Sequence, residues 1–180
     1  FQKYRHGYPL WKSIVECILS KMVLITNFKN DFRRAGEKML EDSAANYYSA
    51  LDVDRNCSEA LIYGANDEFL LDLPLEALRM MGPFGGGMSI ESICGAITGA
   101  LAVIGILYNR DDPTDRDRMK KIAERFLREF RSRYGCLDCA CLKDKYRDEW
   151  KKCEPVVRMS ARLLEEIIKA EENRRPFGKE

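Results

Sequence analysis

The chain has 180 residues, 46% of them apolar and 33% charged, which suits one folded domain with a core of its own. Thirty Lys and Arg stand against 29 Asp and Glu, so the net charge is about +1 and no strong field draws nucleic acid or anionic lipid. His6 is the one histidine, which nearly removes His-based catalysis and His-rich metal sites.

Seven cysteines stand out. An odd number, with no export signal, argues against a secreted disulfide framework and for metal binding or redox chemistry.

Tyr8 to Ile25 is apolar but interrupted by Lys12, Glu16 and Lys21, and no small-residue cleavage site follows. It reads as an amphipathic helix rather than a signal peptide, which points to the cytoplasm. Its apolar face suits burial against a second copy, so a homodimer is plausible. Cys17 lies on that face and reads as packing. Residues 1–30 thus form a helical extension, 31–172 a cysteine-containing helical domain, and 173–180 a charged tail.

Within the domain, Phe32, Ala35, Met39, Leu40, Ala44 and Tyr47 recur at helical steps. Asn56 suits the cap of a helix opening at Cys57, and Pro74 the first turn of another that runs through Met81. The run Gly82-Pro83-Phe84-Gly85-Gly86-Gly87 must be a loop. Ser89 then reads as the cap of a helix to Tyr108, with Glu91 in its first turn. That helix is apolar nearly all round and rich in small residues (Gly95, Ala96, Gly99, Ala100, Ala102, Gly105), so a central, buried place is expected. Ile93 to Tyr108 is shorter than a bilayer-spanning helix requires.

Asp112-Pro113 opens a further helix with Met119, Ile122, Phe126, Phe130 and Tyr134 as its buried stripe, ended by Gly135. Glu154-Pro155 starts a last helix with Val156, Val157, Leu163, Leu164, Ile167 and Ile168 inward. No segment reads as a strand. The fold class is therefore all-α: a single-domain helical bundle around a Gly/Ala-rich central helix.

Cys136-Leu137-Asp138-Cys139 is a C-x-x-C with Cys141 two residues on, a spacing that brings two thiolates to one metal ion or closes a small disulfide. Cys94 and Cys57 lie near helix starts, where backbone amides stabilise a thiolate, although small buried core residues is an equally good reading of both. The glycine run lacks the Lys-Ser/Thr of a phosphate-binding loop. Tyr47, Tyr48 and Tyr63 read as packing, and no carboxylate pair suits acid–base hydrolysis.

Residues Gly85 to Ala100, with Cys94-Gly95-Ala96 and Gly99 among them, resemble the redox-active family named C_GCAxxG_C_C for its cysteine pattern. Upstream, Asn56-Cys57-Ser58-Glu59-Ala60-Leu61 resembles the family's Asn-Cys-Ala-x-x-Val/Leu. Downstream, Phe130, Tyr134-Gly135 and Cys139 resemble its Phe…Tyr-Gly-Ser-x-x-Cys. Lys152-Cys153, followed by Val156-Val157 and Ala161, is similar to its last cysteine helix. The resemblance covers roughly residues 36 to 170.

The resemblance selects Cys57, Cys94, Cys139 and Cys153. It implies an iron–sulfur cluster, [2Fe–2S] or [4Fe–4S], held by four thiolates, with Gly85, Gly86 and Gly87 offering backbone amides nearby. Cys136 stands where the family has a small residue and Cys141 is extra, so either is a candidate redox thiol. The family is similar to the iron–sulfur portion of split-Soret cytochromes, but this chain has no C-x-x-C-H and c-type haem is not expected.

The expected activity is electron transfer or redox sensing, in the oxidoreductase class if enzymatic, with another redox protein as partner. The alternatives are a metal-free thiol–disulfide protein, or structural zinc on the same cysteines. An interaction domain with inert, packed thiols is the remaining reading.

Overall fold

Apolar residues three and four apart make this chain helical. The computed structural model describes residues 39–109 and 113–174. Among these, seven α-helices follow in order: α1 Leu40–Tyr48, α2 Cys57–Glu68, α3 Leu75–Arg79, α4 Gly95–Tyr108, α5 Pro113–Tyr134, α6 Cys139–Tyr146 and α7 Glu154–Asn173. No strand occurs among the described residues; Ile93 with Asp138, and Asp148 with Lys152, make isolated antiparallel pairings. The all-α expectation holds. The helix expected over Tyr8–Ile25 with Cys17, the positions Phe32, Ala35 and Asp112, and the tail beyond Arg174 lie outside the described residues.

The core sits where α7 meets α1 and α4. Val156, Val157, Leu163, Leu164, Ile167 and Ile168 are all buried, as their spacing requires. Burial of each contributes roughly 1.5–3 kcal/mol. Ile122, Phe126 and Phe130 supply the inner face of α5.

On α4, Ala96, Ile97, Gly99, Ala100, Val103 and Ile104 face inward against α2, α5 and α7. Its other side is less covered than an all-round apolar sequence suggests, with Ile106 42% exposed. Gly99 permits the close approach to α2: a Cβ there would stand 2.8 Å from the Ser58 carbonyl oxygen. Gly105 faces open space and serves no such contact.

Several boundaries differ from expectation. Met39 precedes α1 as an exposed N-cap rather than joining its buried face. Pro74 is the N-cap of α3, which stops at Arg79. The central helix starts at Gly95, six residues after the Ser89 cap expected for it. Ser89 and Glu91 instead adopt left-handed backbone, φ 63° and 60°, inside a turn that closes with Ser92 N–H on the Gly87 carbonyl. Helix α6 falls in a charged segment where no helix was expected.

Glu154 ties the start of α7 to the end of α1. Its carboxylate is buried and accepts from Ser49 Oγ at 2.9 Å and Arg158 Nε at 2.8 Å. Burial opposes its ionisation, but the Arg158 and Ser49 hydrogen bonds outweigh that and lower its pKa. A depressed carboxyl pKa adds stability above the unfolded-state value, and the gain fades as pH falls through the folded one. Glu154→Gln is expected to cost roughly 1–2 kcal/mol in urea unfolding at pH 7. The gap to the native chain should shrink below pH ~4.3. A gap that does not change with pH would show that charge plays no part.

Candidate functional site

All four cysteines selected by the sequence pattern stand at helix starts. Cys57 and Cys139 are the first residues of α2 and α6, and Cys94 and Cys153 are the N-caps of α4 and α7. All four are buried and unbridged. They line one cavity of about 250 Å3 together with Tyr48, Asn56, Gly86 and Leu142. That is several times the ~30 Å3 share of a liquid water, so a group of several heavy atoms fits. Four helix N-termini pointed at one space favour negative charge within it.

Local sequence explains each placement. Asn56 caps α2 through a reciprocal box: its Oδ1 accepts from the amides of Ser58 and Glu59, and Glu59 Oε2 accepts from the Asn56 amide. The Asn56 side-chain amide also donates to the Gly82 carbonyl at 2.9 Å. Cys57 is thereby fixed against the glycine segment. A Cβ at Gly85 would collide with the Asn56 side chain.

Gly86 and Gly87 carry φ of 59° and 63° and turn the chain away from Phe84. A Cβ at Gly87 would stand 2.7 Å from Cys139 Cβ and equally close to the Ser92 backbone. The N–H of Cys139 donates to Ser92 O at 2.6 Å, and that of Cys94 to Leu137 O at 2.9 Å. Residues 92–94 and 137–139 are thus sutured backbone to backbone.

The thiols fall into two pairs. The Cys94 thiol donates to Cys139, whose pKa is held down to about 7 by that bond and by Lys143. The Cys57 thiol donates to Cys153, whose pKa is held down to about 6 by that bond, the Tyr48 hydroxyl, Arg147 and Lys143. The two donors move the other way: the hydrogen bonds they give and their burial push Cys57 and Cys94 up. Arg55, Lys143, Arg147 and Lys152 line the cavity against one acidic residue, Asp54, which adds to its preference for anions.

Among the described residues, no three His, Cys, Asp or Glu side chains converge on a point so as to hold a single metal ion. The four thiols surround a space instead.

The C_GCAxxG_C_C family model, described as "Putative redox-active protein", matches residues 55–167. The chain belongs to this family. No curated protein and no solved structure matches it. The match to C_GCAxxG_C_C spans all four cavity cysteines and the glycine turn. No helix among the described residues is long and apolar enough to cross a membrane.

The C-x-x-C spacing leaves the bridge partner open. Cys136 is bridged to Cys141, not to Cys139, which stays free in the cavity. Of the glycines expected near a cofactor, Gly86 lines the cavity, while Gly85 and Gly87 make room for Asn56 and Cys139. Tyr48 is more than packing: Cys153 N–H donates to its hydroxyl oxygen at 3.2 Å. Tyr47 and Tyr63 do pack, their tilted rings 5.4 Å apart with Arg55 over both. Arg55, Lys143, Arg147 and Lys152 were missed because each looks like any solvated charge until the fold gathers them.

Proposed function

We propose that Cys57, Cys94, Cys139 and Cys153 hold an iron–sulfur cluster, and that the protein works in electron transfer or redox sensing with another redox protein. The observation that carries this reading is the convergence of four buried, unbridged cysteines from four helix starts on one cavity. A bound cluster supplies one-electron chemistry with little movement of its ligands.

The chain's own residues do the rest. The Tyr48 hydroxyl donates toward the Cys153 sulfur, and the amides of Ala96 and Ile97 toward that of Cys94. Lys143 and Arg147 offset negative charge, and Leu142 and the glycine turn shield the space from water. Donors to sulfur and nearby cations are the levers by which a protein sets a cluster's potential.

Purification without oxygen, followed by a visible spectrum and assays for iron and zinc, tests this. Bound iron with broad visible absorption is the expected result. A colourless chain with stoichiometric zinc would make the site structural.

A second reading has an observation of its own. Each pair, Cys94 with Cys139 and Cys57 with Cys153, joins a thiol to a partner of lowered pKa, as metal-free thiol–disulfide exchange requires. A colourless, metal-free protein whose two pairs oxidise to disulfides would favour it.

A further inference from the structure

We propose that Cys136 and Cys141 form a second redox centre, a dithiol/disulfide couple whose state sets how firmly Cys139 is held in the four-cysteine cavity. The inference takes from the proposed function only that Cys139 belongs to the site. It rests on the geometry of the 136–141 ring, not on the identity of any cofactor.

Cys136 and Cys141 are bridged and both partly exposed, whereas the four cavity cysteines are unbridged and buried. The six described cysteines are therefore separated by access. An external thiol meets the bridge before it meets the cavity, and access is one determinant of exchange. The bridge closes a ring over residues 136–141, and Cys139 lies inside it.

The same ring carries the sutures to the start of α4. Leu137, buried, accepts from the Cys94 amide at 2.9 Å, and the Cys139 amide donates to Ser92 at 2.6 Å. Asp138, the N-cap of α6, pairs with Ile93. The two backbone hydrogen bonds that set Cys139 opposite Cys94 are thus made by residues within the ring, while buried Leu142 and the Lys143–Glu91 ion pair at 2.7 Å hold the next turn of α6. Covalent closure of the ring restricts the residues that make these bonds and so adds to their order.

The reaction is exchange with a dithiol, either a small molecule or a dithiol protein. One reductant thiolate attacks a sulfur of the bridge. The S–S bond breaks, a mixed disulfide forms, and the released cysteine sulfur takes up a proton. The second reductant thiol displaces the remaining cysteine, which is protonated in turn. Cys136 and Cys141 gain two electrons and two protons, and the dithiol becomes a disulfide. The open turn regains the freedom that a ring of this size had removed, so Cys139 leaves its place more often.

The test is timed alkylation of the metal-free full chain with iodoacetamide, mapped by peptide mass. Before reduction, Cys136 and Cys141 carry no label. After dithiothreitol under native conditions both should label, and the labelling rate of Cys139 should rise on the order of tenfold or more. A Cys136→Ser, Cys141→Ser double variant should show the faster Cys139 rate without reductant. If that variant does not fold, the native chain with and without dithiothreitol decides alone. A bridge that yields only after denaturation overturns the proposal, and so does an unchanged Cys139 rate. A chain that never binds iron yet opens Cys139 on reduction would sink the cluster reading and leave this one standing.

Discussion

Serine in place of Cys57, Cys94, Cys139 or Cys153, one at a time, is expected to remove most of the visible absorption and iron from protein purified without oxygen. Each of these sulfurs borders the same cavity, and each belongs to a buried residue. Losing a supporting contact around a metal site already costs roughly 10–100-fold in affinity. Losing a ligand should cost more. Serine at Cys17, which the cysteine pattern does not select, is the matched control. It should leave the colour in place. Bleaching by Cys17→Ser to the same extent as by Cys94→Ser would break the residue assignment.

The second large effect is on folding. Gly86 and Gly87 share nearly the same backbone, φ 59° and 63°, but not the same surroundings. A Cβ at Gly86 meets nothing within 4 Å, while at Gly87 it meets Cys139 and both the N and O of Ser92 at 2.7 Å. Gly86→Ala should therefore cost only the left-handed penalty of roughly 1–2 kcal/mol. Gly87→Ala adds overpacking of about 1–3 kcal/mol, for a total near 2–5 kcal/mol. Urea unfolding of the metal-free chain measures both. Equal losses would mean that the turn relaxes freely and does not brace Cys139.

Which parts of this site can be read from sequence follows from where the information lies. Cys57 is legible twice, through its family pattern and through Asn56 and Glu59, whose capping box is written in adjacent residues. The buried stripes of α5 and α7 are legible because helical periodicity repeats over many turns.

The left-handed turn is not. Ser89 and Glu91 carry the signals of a helix start, and only the close approach of Gly87 to Cys139, 52 positions later, shows why the chain turns the other way there. Helix α6 is only eight residues long, three of them charged, so periodicity cannot announce it. Its place is set by Leu142, which is buried, and by the sutures of the 136–141 ring to the start of α4. Spacing alone leaves the pairing among Cys136, Cys139 and Cys141 open, whereas the first turn of α6 turns Cys139 inward and leaves Cys141 to meet Cys136. Tyr48 reaches Cys153 across 105 positions, a contact that no local pattern encodes.

The central claim is that four cysteines surround one polynuclear group. Iron K-edge X-ray absorption on protein purified without oxygen addresses it most directly, since it reports what surrounds each iron. Sulfur neighbours alone in the nearest shell, with a second iron beyond them, is the predicted result. Oxygen or nitrogen neighbours without an iron–iron distance, or no iron at all, would contradict it.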